Sequence, residues 1–147
     1  MAKLDKQVNK YLAQYAEPEV NLLNDLPKKQ SYQHVVVIPA YKESSKFVER
    51  FLDSLLAKEN VLVIIVVNQP SQDTDLFKQQ SLHDDISAVG ESIWFNDNLL
   101  LVAPQNSNSH ILLVDRFNNP IPDDYGVGLA RKIGCDLALA LINSKAI

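Results

Sequence analysis

The sequence predicts an α/β protein on a mostly parallel sheet, and three observations carry that expectation. First, three unbroken apolar runs, His34–Ile38, Val61–Val67 and His110–Val114, are rich in β-branched residues, as in strands buried on both faces. Second, helical periodicity follows each of the first two runs, and strand–helix–strand–helix order implies βαβ units with a parallel sheet. Third, 147 residues at 46% hydrophobic and 22% charged suit one domain with a sizeable core and are too apolar for a disordered chain.

Taken in order, the chain opens with a helix. Leu4, Val8, Tyr11, Leu12 and Tyr15 fall on one helical face. Pro18 and Pro27 bracket the apolar piece Val20–Leu26, and Lys28-Lys29 follow. Residues 1–33 therefore read as an N-terminal helix and arm lying outside a domain of residues 34–147. The first strand stops at Pro39. Ser44–Ala57 reads as a helix with the stripe Phe47, Phe51, Leu52, Leu55 and Leu56, capped by Ser44 or Ser45. After the second strand, Asn68–Asp73 is a loop by composition. Thr74 or Asp75 caps a helix over roughly Leu76–Ile86, with Leu76, Phe77, Leu82 and Ile86 as its stripe. Ile93–Phe95, the turn-like Asn96–Asn98 and Leu99–Val102 suit a hairpin or a loop plus a strand, and Gln105–Ser109 is polar and flexible by composition. The third run ends at Asp115-Arg116, and Asn118–Asp124 is a proline-bearing loop. A last helix runs from about Tyr125 to Ile142. Ala130, Ile133, Leu137, Ala138 and Leu141 form its inner face, and Asp123 and Asp124 sit at its positive end.

Composition excludes several function classes. A net charge of −4 and a sequence pI near 5.3 argue against a non-specific nucleic-acid binder, which carries a basic face. The run Val61–Val67 is far short of the ~20 residues of a membrane span, and the charged N-terminus is not a secretory signal. Cys135 is the single cysteine, so disulfide scaffolds and cysteine-rich zinc sites are excluded. Its place beside Gly134 reads as a small buried residue rather than a nucleophile. His34, His83 and His110 are too widely spaced for a metal motif. A cytoplasmic setting is the expectation.

Familiar motifs fail. No GxxxxGK[ST] or GxSxG is present. Gly126-Val127-Gly128 opens like a dinucleotide fingerprint, but Arg131 replaces its third glycine, the motif follows a loop, and Asp123 and Asp124 would repel a pyrophosphate.

The informative residues lie where ligands bind in open α/β sheets, at the carboxyl ends of the strands. Three polar groups stand there: Pro39-Ala40-Tyr41-Lys42-Glu43, Asn68-Gln69-Pro70-Ser71-Gln72-Asp73, and Asp115-Arg116. Tyr41 can lie against a base, Glu43 can accept from ribose hydroxyls, and Asn68 offers both a donor and an acceptor to a base edge. A structural reading accounts for the same residues: Glu43 favours a helix start, Tyr41 is a half-buried loop aromatic, and Asn68 and Ser71 form turns. Both readings stand at this point.

Val36-Val-Ile-Pro-Ala-Tyr-Lys-Glu43 resembles the opening motif of family-2 glycosyltransferases, a strand followed by P-A-Y-N-E. Val63-Ile-Ile-Val-Val-Asn-Gln-Pro-Ser-Gln-Asp73 resembles their strand ending in D-D-G-S-x-D. Gly126-Val-Gly-Leu-Ala-Arg-Lys-Ile-Gly134 resembles their helix G-x-x-x-A-R-N-x-G. The trio keeps the family's order. The resemblance implies the A-type glycosyltransferase fold, a Rossmann-like three-layer αβα sandwich that binds a nucleotide-diphospho-sugar and passes the sugar to an acceptor. Carried over, Pro39, Ala40, Tyr41 and Glu43 surround the nucleoside, Asn68 meets the base with Gln69, Ser71 and Asp73 in the same motif, and Arg131 lies near the donor.

Three departures follow. Asn68 replaces the family's aspartate. Ser87–Ser109 is a longer link than usual. The family's metal-binding D-x-D comes after the A-R-N-x-G helix and a further strand, whereas this sequence ends at Ile147. The resemblance thus implies the N-terminal, nucleotide-binding part of a truncated domain. Mg2+ or Mn2+ is expected for the full-length parent and none for this chain, with no transfer activity by these residues alone and a dimer possible through surface left bare. The alternatives are a non-catalytic α/β binding or assembly module using the same strand-end cleft, and an enzyme with an unrelated substrate there.

Overall fold

The computed structural model describes residues 2–27, 31–122 and 125–145, with side chains from residue 5 onward. Lys28, Lys29, Asp123 and Asp124, and the side chain of Leu4, lie outside the described residues.

Helix α1 spans Ala2–Gln14, and a 3-10 segment spans Pro18–Asp25. Strand β1 (His34–Ala40), helix α2 (Lys46–Leu52), a 3-10 segment at Leu55–Lys58 and strand β2 (Val61–Pro70) follow. Helix α3 (Phe77–Ser87), the antiparallel hairpin β3 (Gly90–Asn96) and β4 (Leu99–Pro104), strand β5 (His110–Ile121) and helix α4 (Gly126–Asn143) complete the chain.

The five strands lie in the order β1-β2-β5-β4-β3. β1, β2 and β5 are mutually parallel, while β5, β4 and β3 alternate in direction. The architecture is thus α/β, with a mixed five-stranded sheet whose core strands β1, β2 and β5 are parallel as expected. The parallel ladders join the three runs singled out in the sequence. The link 87–109 supplies the antiparallel hairpin at the far edge.

Helices cover both faces. Val63, Ile65, Val67, Ile111 and Leu113 pack with Val48 of α2 and with Leu82 and Ile86 of α3. Leu62, Ile64, Val66, Leu112 and Val114 pack on the other face with Ala130, Ile133, Leu137 and Leu141 of α4. All five residues predicted for the inner face of α4 are buried. Gly134 lets this helix approach closely, because a Cβ there would lie 2.3 Å from Cγ1 of Val37 on β1. β2 is buried from Val61 to Gln69, as a central strand must be, whereas β1 is only half-buried along Val35–Pro39, because it is an edge strand. That position also tolerates Pro39, which has no N–H to donate.

Several expectations are corrected. The N-terminal arm is not external: Leu22, Leu23 and Leu26 pack against the α4-side core, and Glu19 is buried. The arm covers sheet that a single helix leaves bare. Tyr11 donates to buried Asp136 of α4 at 2.6 Å, and Lys132 pairs with both Asp136 and Glu17 at 2.9 and 3.0 Å, which fastens α1. The predicted helix 44–57 splits. Ser54 Oγ donates to the Phe51 carbonyl at 2.5 Å, competing with the helical ladder. Leu55 and Leu56 are left exposed, Val48 is the buried residue of α2, and neither serine caps it by a side-chain bond. Asp75, by contrast, does accept the Phe77 N–H at the start of α3. Leu76 and Phe77 are exposed rather than part of the α3 stripe, and Cys135 faces outward beside buried Gly134. Finally, Asn68–Pro70 is strand rather than loop, and β5 continues to Ile121. No helix among the described residues is long and apolar enough to cross a membrane.

Candidate functional site

At the carboxyl ends of β1 and β2 the sheet opens into a cleft of about 220 Å³. Pro39, Tyr41 and Glu43 line it from β1 and its loop, Asn68 and Pro70 from β2. Ile121 at the end of β5 and Gly126 and Val127 at the amino end of α4 close it. Gly126 has φ +52°, a left-handed conformation that glycine adopts without strain.

Asn68 is 6% exposed. Its Nδ2 donates to the Ala40 carbonyl at 3.0 Å and to the Val66 carbonyl at 3.3 Å. Both amide protons are therefore engaged within the protein, and the carbonyl oxygen is what Asn68 has left for a ligand. The expectation of a donor as well as an acceptor is corrected to an acceptor alone. Ala40 is fully buried and contributes its carbonyl to this bond rather than a surface to the cleft.

Tyr41 is positioned by Asp73. Its hydroxyl donates to Asp73 Oδ2 at 2.5 Å, and Lys42 Nζ lies 3.0 Å from the same oxygen. Asp73 Oδ1 accepts the backbone N–H of Asp75. The Tyr41 hydroxyl, then Lys42, then that N–H hold the Asp73 carboxyl down to about 2, and Asp73 in turn raises Lys42. Lys42 has φ +54°, which turns the chain so that both neighbours reach one carboxylate.

The other candidates do not line the cleft. Gln69 alternates onto the opposite face of β2 and is fully buried. Its Nε2 donates to the Asp73 carbonyl and, at 3.2 Å, to that of Asp75, shaping the loop. Ser71 is exposed, and its N–H donates to the Ile121 carbonyl at 3.0 Å. Arg131 is exposed on α4 one turn beyond Val127. Asp115 accepts from the N–H groups of Phe117 and Asn118, and Arg116 pairs with buried Glu19 at 3.0 Å, so this third group is structural. Glu43, which does line the cleft, is exposed and its side chain makes no hydrogen bond among the described residues; it lies ahead of α2, which starts at Lys46. Ile121 lay outside the three polar groups singled out in the sequence. Its signal was faint, an isolated isoleucine between two prolines.

The D-x-D spacing occurs once, at Asp73-Thr74-Asp75. Asp73 is occupied as described, and Asp75 Oδ1 accepts the Phe77 N–H. Among the described residues, no group of three or more His, Cys, Asp or Glu side chains is placed to hold a metal ion. These side chains do not fit a Mg2+ or Mn2+ site.

Comparisons with protein-family models, curated proteins and solved structures give no match to this chain.

Proposed function

We propose that the strand-end cleft is the nucleoside pocket of a Rossmann-like, nucleotide-diphospho-sugar transferase-like domain, and that the protein takes part in glycosyl transfer to an acceptor. The observation that carries this reading is the convergence of an aromatic ring, an acceptor-only amide and a free carboxylate at the ends of adjacent parallel strands. The base lies against Tyr41 and donates an N–H to Asn68 Oδ1, which keeps the polarity of the aspartate in the resembled family. The ribose hydroxyls donate to Glu43. Ligand pockets for drug-sized molecules run to about 300–1,000 Å³, so 220 Å³ suits a nucleoside, with diphosphate and sugar outside. In the transfer, an acceptor hydroxyl gives its proton to a general base of the full-length parent and attacks the anomeric carbon, the bond to the diphosphate breaks with inversion, and the nucleoside diphosphate leaves.

A second reading is a binding or assembly module that uses the same cleft without catalysis. The observation favouring it is that Asp73 is held by Tyr41 of the neighbouring loop and by the Asp75 N–H, and Asp75 by the N–H of Phe77 at the start of α3.

Calorimetry with UDP-, GDP- and ADP-linked sugars, with and without Mn2+, tests the pocket. Binding of at least one is expected, and Glu43→Ala should weaken it while stability stays within about 0.5 kcal/mol, as for other free surface side chains. Binding by none of the three overturns the proposal.

A further inference from the structure

β3 is an edge strand: among the described residues, only β4 pairs with it. Its outer N–H and C=O groups are open to a further strand. Natural edges are blunted by proline, lysine or a bulge. The other edge, β1, carries Pro39. Gly90–Asn96 has no proline, lysine or arginine. Its guard is a register shift between Ser92 and Trp94, which leaves Ile93 without a Cα partner on β4.

Ile93 and Phe95 are 41% and 76% exposed and belong to neither core, whereas Trp94 between them packs on the α4 side. Asn96 Nδ2 donates to the Leu22 carbonyl at 3.0 Å and to Asp25 Oδ1 at 3.3 Å, which fixes the end of the strand to the N-terminal arm. The edge is thus preformed, with apolar side chains and main-chain groups offered together. Strand addition needs both, because main-chain bonds supply affinity and alternate side chains supply selection.

Charge decides the occupant. From Gly90 to Pro104 the hairpin carries Glu91 and Asp97, both exposed, and no basic residue. The two carboxylates stand at opposite ends of β3, about 20 Å apart on a strand's rise per residue. Asp25 adds a third at the Asn96 end. A second copy pairing antiparallel would bring Glu91 of each chain toward Asp97 of the other, and facing like charges are destabilising. A flexible segment follows the bend at Ile93 and can present a cation at each end. We propose that the β3 edge binds an extended peptide segment of a partner protein, apolar at alternate positions and basic at both ends.

The test is amide NMR of the intact, unaltered chain, titrated with a short peptide of alternating valine and threonine flanked by lysines, and separately with the same peptide flanked by glutamates. Saturable shifts and slowed exchange at Glu91–Asn96 are expected with the lysine peptide. The glutamate peptide should bind about fivefold more weakly, as two exposed ion pairs allow. Glu91→Lys combined with Asp97→Asn should reverse that preference. Asparagine suits position 97, where φ is +51°. No response, a response outside β3, or equal affinity for the two peptides overturns the proposal. So does slow exchange of the same amides without peptide in a chain that sediments as a dimer, which makes a second copy the occupant.

Discussion

The hydroxyl of Tyr41, in the loop after β1, donates to Asp73 Oδ2, in the loop after β2, at 2.5 Å, and Lys42 reaches the same oxygen at 3.0 Å. One carboxylate thus joins the two loops and fixes the aromatic wall of the cleft. Asp73 acts on a ligand through Tyr41, as a positioning residue.

The pH dependence of this link follows from its sign. The Asp73 carboxyl lies at about 2 in the folded chain, below its ordinary 3.8, first because of the Tyr41 hydroxyl. A depressed carboxylate stabilises the fold above its unfolded value and loses that contribution as the pH falls toward the folded value. The link should therefore be intact at pH 5 and open near pH 2. A carboxyl titration by NMR should give a midpoint near 2, shifted upward in Tyr41→Phe. An unchanged midpoint in that variant would refute the assignment.

Asn68 is not interchangeable with the aspartate of the resembled family. Its two N–H bonds run to the carbonyls of Ala40 and Val66. Asn68→Asp would turn a buried carboxylate oxygen toward those carbonyls, which is worse than removing the group. Asn68→Ala should cost about 1–3 kcal/mol, the penalty for a lost buried partner, and Asn68→Asp more at neutral pH. Urea unfolding at pH 7 and pH 4 checks the order, with the aspartate variant recovering in part at pH 4 as its carboxyl gains a proton to donate.

Glu19 and Arg116 pair at 3.0 Å with side chains 4% and 13% exposed, and Asn98 donates to the same Glu19 oxygen. The pair pins the N-terminal arm to β5. Removing either member should destabilise the chain by about 3 kcal/mol, because the other is left buried and unpaired. Replacing both with leucine should cost less than either single change. Denaturant midpoints of the three variants decide this.

Gly134 has no room for a side chain, since a Cβ would press on Val37 Cγ1 at 2.3 Å and approach Val66 Cγ2 at 3.5 Å. Valine, branched at Cβ, turns only with difficulty. Overpacking costs about 1–3 kcal/mol, and the alanine variant recovers about 1 kcal/mol through helix propensity. Stability should therefore fall from wild type to Gly134→Ala to Gly134→Val. Thermal unfolding in which Gly134→Val matches wild type would show that α4 does not pack against β1 as described.

What the sequence determined by itself was local. Apolar runs and helical spacing identified the three parallel strands, the four helices and the inner face of α4, because burial selects residues at each element's own period. The strand ends where a cleft forms were legible for the same reason, and Pro39, Tyr41, Glu43 and Asn68 do line one. The order β1-β2-β5-β4-β3, the burial of the N-terminal arm and the true ends of β2 and β5 were decided by tertiary structure. A strand persists only where another chain segment pairs with it, and Pro70 is strand because Ile121, distant in sequence, lies beside it. Once β2 runs that far, alternation sends Asn68 to the cleft and Gln69 to the opposite face. Neighbours in one polar motif are thereby given different roles by a pairing that no local pattern encodes.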